Sequence, residues 1–248
     1  MAQYKAIIFD LDGTAMPLEL EAMPSAKVIQ TVKKAQQYAK VCAATGRSLP
    51  HAKAILKALG LKDPCVISGG TQMIDPVTEK TLWEKRLSKE QVKQVIELCL
   101  PYPYAIGFSD ETKGLPAKEK KVQGSERIIY IWGVKEEDAQ YLVEQINHID
   151  GVVAHSPGSW TKNRVDIHVT NSEATKKYAL EKLVKILHLE KKEIIGVGDH
   201  DNDQPLFESV GLRVAMGNAT EQLKENADFV TSSVEKNGLA EVIERFIL

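Results

Sequence analysis

Cysteine is scarce in this chain of 248 residues: three are present, Cys42, Cys65 and Cys99. They lie far apart, form no C-x-x-C pair and, being odd in number, cannot all pair within one chain. A disulfide framework is therefore excluded, a reducing compartment is expected, and the three read as small buried hydrophobes. Long apolar runs are missing too, since none approaches the ~20 residues that a membrane-spanning helix needs. A strand-like run is reached by Ala6, which leaves no room for a cleavable signal peptide, so a cytoplasmic protein with no membrane partner is expected. Excess charge of one sign is also lacking. The formal net charge of −2 gives no global electrostatic pull towards nucleic acid. What is present, 43% hydrophobic and 27% charged residues, is enough to bury a full core and argues against a disordered chain.

Two periodicities alternate at the ends of the chain. Strand-like runs at 5–9, 41–44, 65–68, 193–198, 212–215 and 228–230 are separated by helix-like stretches, the pattern of a parallel sheet with helices on both faces. The first helix is predicted to start near Pro24 and Ser25, with Val28, Val32 and Ala35 on one face. The second runs from about Leu49 to Leu59 and stops at Gly60. Leu180, Leu183, Val184 and Leu187, then Leu206 and Phe207, then Leu239, Val242, Ile243 and Phe246 make further apolar stripes that belong to a core.

The middle reads differently. A strand at 80–85 precedes a helix opened by the capping box Ser88-Lys89-Glu90-Gln91, followed by strands near 104–108 and 128–132. A second helix carries Ala139, Leu142, Val143 and Ile146, and two more strands end in the alternating Arg164-Val165-Asp166-Ile167-His168-Val169. These are two α-β-β units, an α+β insert in an α/β host. Lys113 to Arg127, with four lysines and little apolar content, is expected to be a solvated loop.

Chemistry concentrates where strand-like runs end. Ile7-Ile8-Phe9-Asp10-Leu11-Asp12-Gly13-Thr14 closes an apolar strand on two aspartates and a glycine. Positions i and i+2 of a strand share a face, so Asp10 and Asp12 are expected to leave it pointing the same way, with a proton or a cation easing their repulsion. One carboxylate is then suited to attack phosphorus, and its neighbour to move protons at the departing oxygen and at incoming water. Gly13 suits a sharp turn with N–H groups facing an anion. Thr45, Gly46 and Arg47 put a hydroxyl, open backbone and a cation at another strand's C-terminal end, where open α/β sheets bind ligands.

The segment Gly196-Val197-Gly198-Asp199-His200-Asp201-Asn202-Asp203 again follows a strand and crowds three acids together, which a hard divalent cation relieves. An EF-hand is excluded, because Gln204 and Val210 stand where that loop needs glycine and glutamate. His200 reads as an exposed loop residue. Lys176 lies at the start of a helix, where its ammonium and the helix-start N–H groups together suit a phosphate; Lys177 is its neighbour, and one of the pair is expected to face water.

These pieces, in this order, resemble the haloacid dehalogenase superfamily and, within it, the Cof-like phosphatases that carry a type IIB cap. Asp10-Leu11-Asp12-Gly13-Thr14 resembles the first motif, Ala44-Thr45-Gly46-Arg47 the second, Lys176 the third and Gly198-Asp199-His200-Asp201-Asn202-Asp203 the fourth; the tail Val214-Ala215-Met216-Gly217-Asn218-Ala219 is similar as well. The resemblance implies a Rossmann-like parallel-sheet core at 1–74 and 167–248, with the α+β cap at 75–166 closing over the substrate. It implies Mg²⁺ as cofactor, Asp10 as the nucleophile that becomes an aspartyl-phosphate, and Asp12 as general acid and base that also lends its backbone carbonyl to the metal. Asp199 would ligate the metal directly and Asp203 mostly through its neighbours. Thr45, Gly46, Arg47, Lys176 and Asn202 would bind the phosphoryl group. Two departures stand out: Gly69-Gly70-Thr71 replaces the frequent Asn-Gly-Ala, and His200 a commonly small residue.

The expected function is hydrolysis of a small phosphorylated metabolite, such as a sugar phosphate or phosphoglycolate, with no nucleic-acid partner and the oligomeric state left open. Substrate selectivity is expected from loops of the cap, where Asp110, Trp160, Arg164 and the lysine-rich loop are candidates and core or solvent roles are the alternative. A phosphomutase of the phosphomannomutase type and a non-catalytic phosphometabolite-binding protein are the alternatives; a pump-type ATPase is excluded by Asp12 and by the lack of membrane spans.

Overall fold

The computed structural model describes residues 4–19, 21–109, 111, 113–158 and 163–248. In chain order the elements begin with β1 (Ala6–Phe9), α1 (Ala26–Ala35), β2 (Lys40–Ala43), α2 (Leu49–Leu59), β3 (Cys65–Ile67), β4 (Gln72–Ile74) and β5 (Thr81–Glu84). There follow α3 (Lys89–Cys99), β6 (Ala105–Phe108), β7 (Leu115–Pro116), β8 (Ile128–Lys135), α4 (Glu136–Asn147), β9 (Val152–Gly158) and β10 (Arg164–Asn171). The chain ends with α5 (Lys176–Leu187), β11 (Ile194–Gly198), α6 (Gln204–Glu208), β12 (Leu212–Ala215), α7 (Glu221–Glu225), β13 (Phe229–Val230) and α8 (Gly238–Phe246).

Two compact units result: Met1–Trp83 with Lys176–Leu248, and Glu84–Thr175. The inserted unit thus starts and ends later than the 75 and 166 expected from sequence. The reason is strand pairing. β4 and β5 extend from β3 in a three-stranded sheet, whereas all of β10 pairs with β8 and β9, so a boundary at 166 would cut a strand in two.

The first unit is built on a parallel sheet ordered β13-β12-β11-β1-β2. A parallel bridge from Ala44 to Val66 carries β3 alongside β2. β1 is apolar at every position because both faces are covered. Ile7 and Phe9 pack in one buried cluster with Val28, Val32, Leu56, Leu239 and Ile243, and Ala6 and Ile8 pack in another with Leu180, Leu183 and Leu206. α1 starts where the Ser25 hydroxyl accepts the Val28 N–H at 3.2 Å, a local signal legible in the sequence. Cys42, Cys65 and Cys99 are all buried, and burial pushes their thiols up, Cys65 and Cys99 to about 12.

The inserted unit is an antiparallel sheet ordered β7-β6-β8-β10-β9 with α3 and α4. Val92, Val95, Leu142 and Ile146 pack with Ile129, Ile131, Ile167 and Val169 in its core. The two expected α-β-β units are there, with the short β7 added between the strands of the first, and both arms of the Ser88/Gln91 capping box are made. The lysine-rich stretch is not the plain solvated loop the composition suggests: it contains β7, and the Lys120 side chain is only 5% exposed. That ammonium lies 4.2 Å from the centre of the Phe108 ring and pairs with Glu111, so the lysine's aliphatic stem is covered while its charge is met twice. Among the described residues no helix is long and apolar enough to cross a membrane.

Candidate active site

The parallel register brings three strand ends together. β1 lies between β11 and β2, and the chain leaves it towards opposite sides of the sheet, the arrangement that opens a crevice at the strands' C-terminal ends. Asp10 follows β1, Thr45 comes just after β2 and Asp199 follows β11. The Asp10 N–H still donates to the Val197 carbonyl at 3.1 Å, so the nucleophile candidate is the last position tied to the sheet.

Around Asp10 the site is buried. Asp10, Lys176, Asp199 and Asp203 are all less than a tenth exposed. Lys176, the first residue of α5, places its Nζ 3.2 Å from Asp10 Oδ1 and 2.5 Å from Asp203 Oδ1. The other Asp203 oxygen accepts the backbone N–H groups of Asp199 at 3.0 Å and His200 at 3.3 Å, so Asp203 braces the turn after β11. Thr14 Oγ1 donates to Asp199 Oδ1 at 2.9 Å and ties the first loop to the fourth. Two glycines make room for this. Gly13 has φ +73°, and a Cβ on it would sit 2.1 Å from Asp199 Oδ2; a Cβ on Gly198 would sit 2.5 Å from Asp203 Oδ2.

The electrostatics follow from burial. Removal from water raises the Asp10 carboxyl well above the ordinary range; Lys176 pulls it down, and Asp203 and Asp199 push it further up. Asp199 is pushed up to about 6 by burial and then by Asp203. For Lys176 burial disfavours the charge, but Asp10 and Asp203 outweigh it, and its pKa lies above the usual lysine value. One ammonium faces three carboxylates, which leaves negative charge to be met. An oxygen of each of Asp10, Asp199 and Asp203 lies within 4.8 Å of the others. A buried, all-oxygen, anionic donor set of this size fits a hard divalent cation.

Asp12 parts from Asp10, contrary to the shared direction expected from strand alternation. β1 ends at Phe9 and a turn begins, so period two no longer applies. Its carboxylate is outside the Asp10, Asp199 and Asp203 cluster and meets Arg47 instead, with Nε at 2.9 and 3.1 Å and Nη2 at 2.6 Å. Thr45 is buried, and its Oγ1 accepts the Arg47 N–H at 3.1 Å. Gly46 faces open space: a Cβ there would meet nothing within 4 Å. Asn202 is exposed on the turn Asp201–Asp203, and His200 is exposed as expected. Lys177 faces outward and pairs with Glu208 at 3.0 Å, which separates it from Lys176. In the inserted unit Arg164 donates to the Gly133 carbonyl at 2.9 Å. Asp110 and Trp160 lie outside the described residues.

Sequence reasoning missed Asn218 as a site residue. Its Nδ2 donates to the Gly13 carbonyl at 2.8 Å, and its Oδ1 accepts the Val234 N–H at 2.8 Å, so one amide holds the Asp12-Gly13 turn against the loop after β12. Two residues on, the Thr220 N–H donates to the Asp199 carbonyl at 3.0 Å. The signal in the sequence is the Met216-Gly217-Asn218-Ala219 tail, whose similarity to the family by itself assigns no role.

A parallel α/β core whose strand ends gather acids, a lysine and a hydroxyl in a buried crevice has the architecture of an enzyme. The chain belongs to the haloacid dehalogenase-like hydrolases, whose family model it matches over residues 7–130 and 108–243. It is 36% identical to phosphoglycolate phosphatase 1 of Saccharolobus solfataricus over 81 residues, which make up 33% of this chain and 36% of that protein; the match thus spans about a third of that relative's length. It is 26% identical to the 5-amino-6-(5-phospho-D-ribitylamino)uracil phosphatase YwtE of Bacillus subtilis, over 98% of both chains. A crystal structure of a haloacid dehalogenase-like hydrolase from Bacteroides thetaiotaomicron shares the fold, with a TM-score of 0.81 at 20% identity, covering 98% of this chain and 99% of that one.

Proposed function

We propose that the protein is a Mg²⁺-dependent phosphomonoesterase that hydrolyses a small phosphorylated metabolite, a sugar phosphate or a phosphoglycolate-like compound, through an aspartyl-phosphate on Asp10. The observation that carries this reading is the placement of Asp10: a buried carboxylate at a strand end, 3.2 Å from an ammonium and within a cluster of further acids. Relatives that are phosphatases of phosphoglycolate and of a phosphoribitylamino compound support the same chemical class.

Asp10, Asp199 and Asp203, with the Asp12 backbone carbonyl, would hold Mg²⁺. When bound, it supplies positive charge at the phosphoryl oxygens and eases the approach of one anion to another. Asp10 attacks phosphorus; an O–P bond forms and the ester O–P bond breaks, its electron pair leaving on the ester oxygen. Asp12 hands a proton to that oxygen. It then takes a proton from a water whose oxygen attacks phosphorus, and the Asp10–phosphorus bond breaks to return the carboxylate and release phosphate. Lys176 offsets the charge of Asp10 throughout, while Thr45, Arg47 and Asn202 bind the phosphoryl group. The family resemblance would make the inserted unit the source of selectivity for the rest of the substrate.

The test is phosphate release from a panel of phosphorylated metabolites, with Mg²⁺ or with EDTA, for the wild type and Asp10→Asn. Turnover is expected only in the wild type with Mg²⁺. A folded Asp10→Asn variant with full activity would overturn the assignment.

A further inference from the structure

Arg47 brings a second cation to the site and pairs with Asp12, the residue whose oxygens the proposed reaction needs. Three contacts join its guanidinium to both oxygens of Asp12, at 2.6, 2.9 and 3.1 Å. A carboxylate gripped in this way has three of its roughly four lone-pair sites engaged and is held away from a leaving oxygen or water by its charged partner. The pair is not sealed: the Asp12 side chain is 29% exposed and that of Arg47 13%. Lys176, by contrast, is deeply committed to Asp10 and Asp203.

The backbone around Arg47 is anchored independently of its side chain. The Arg47 N–H donates to Thr45 Oγ1 at 3.1 Å, and its carbonyl accepts the Ser68 N–H at 2.8 Å. The loop is therefore held without help from the guanidinium, and there is open space beside Gly46. The guanidinium's planar fork fits a phosphate as well as it fits a carboxylate.

We propose that Arg47 is a partner-exchanging positioning residue: Asp12 holds it while the site has no phosphate, and an arriving phosphate group takes it, which frees the Asp12 oxygens for the reaction. This rests on the phosphatase reading and adds to it a coupling, in which the arrival of the anion itself arms the proton-transfer residue. Phosphate and Asp12 compete for one guanidinium, so removing the charge of Asp12 strengthens phosphate binding, and only when Arg47 is present.

A double-mutant cycle on inorganic phosphate binding tests it. Dissociation constants would be measured by calorimetry in Mg²⁺ for the wild type, Asp12→Asn, Arg47→Ala and the double variant, with Arg47→Lys replacing Arg47→Ala should the latter not fold. Asp12→Asn is expected to bind phosphate about fivefold more tightly, from the release of a half-buried pair, and Arg47→Ala more weakly. The gain from Asp12→Asn is expected to vanish in the double variant. A merely structural role of Arg47 would leave that gain in place, and its persistence, or its absence in the single variant, overturns the inference. If the wild type binds phosphate and turns over esters while the cycle shows no coupling, the inference alone falls. If no form binds phosphate or turns over an ester, the phosphatase reading falls with it.

Discussion

Lys176 and Asn218 show two ways in which a single side chain serves this site. Lys176 carries a positive charge buried among carboxylates, so Lys176→Met leaves Asp10 and Asp203 buried without their counter-charge. Removing one partner of a buried ion pair costs about 3–5 kcal/mol. Lys176→Met is accordingly expected to abolish turnover and to lower the urea midpoint in metal-free buffer, with part of that midpoint restored by Mg²⁺. A variant that keeps its midpoint without metal would show that the lysine is not needed to balance the acids. Asn218 carries no charge and touches only backbone, so its effect passes through the turn it holds. Asn218→Asp keeps the shape but replaces the donor to the Gly13 carbonyl with a second acceptor. Turnover number is expected to fall about tenfold or more, for a loss of roughly 1–3 kcal/mol at a buried unpaired carbonyl, with the Michaelis constant changed less. An unchanged turnover number would remove Asn218 from the positioning role. Nothing in the local pattern around Asn218 announces this, because its partners lie at Gly13 and Val234, brought close only by the order of the sheet.

At the scale of elements, β8, β9 and β10 carry a pH-sensitive feature far from the carboxylates in sequence. His168 on β10 sits opposite His155 on β9 and Tyr130 on β8, with ring centres 5.6 and 4.9 Å away. Burial, and then the neighbouring His155, lowers the His168 pKa to about 4, against about 6.5 for a free histidine. Between these values the unfolded chain takes up a proton that the folded one refuses. The contribution is therefore fully present above pH ~6.5 and is lost as pH falls towards 4, with an upper bound of about 2–3 kcal/mol for this half-buried ring. His168→Phe keeps the ring contact without the titration. Urea unfolding across pH 4 to 8 is expected to show the wild type losing stability relative to His168→Phe as the pH drops, and a pH-independent difference would contradict the account. The helices on this sheet were legible because the Ser88 capping box and the 3.6-residue stripes are local. β7 was not, because Leu115-Pro116 forms a strand only through pairing with β6.

For the molecule as a whole, the buried acids make metal and stability one question. In the absence of metal, folding encloses Asp10, Asp199 and Asp203 with a single lysine, and the raised Asp10 and Asp199 carboxyls record that strain. Because Asp199 has its folded pKa raised to about 6, its burial favours the protonated form: the metal-free protein gains stability from it as pH falls from above 6 towards 4, and loses it as pH rises. On the proposed reading Mg²⁺ would bind the folded state and not the unfolded chain, so saturating metal is expected to raise the thermal midpoint, by about 2.7 kcal/mol of stability at a hundredfold excess over its dissociation constant. The gain is expected to shrink towards pH 5, where protons compete for Asp199, and to be much reduced in Asp199→Asn. Differential scanning calorimetry with Mg²⁺ and with EDTA measures it, and a midpoint indifferent to both would argue against a metal at this cluster.

The sequence by itself determined the elements and the places where chemistry collects. Apolar runs of strand length, helical stripes, caps and glycines beside Asp12 and Asp199 are local signals, and local backbone physics turns them into β1, β11, α1 and α3 almost where they were read. The tertiary structure alone decided which acids share a centre. Asp10 and Asp12 are neighbours in sequence and part company where β1 gives way to a turn, while Asp10, Asp199 and Asp203 meet because β11 pairs beside β1. It also decided between Lys176 and Lys177, since only the first faces inward from α5, and it left Asn202 exposed and brought in Asn218. Each of these outcomes depends on which strand lies next to which, a choice settled by the simultaneous burial of both faces of the sheet and not by any segment alone.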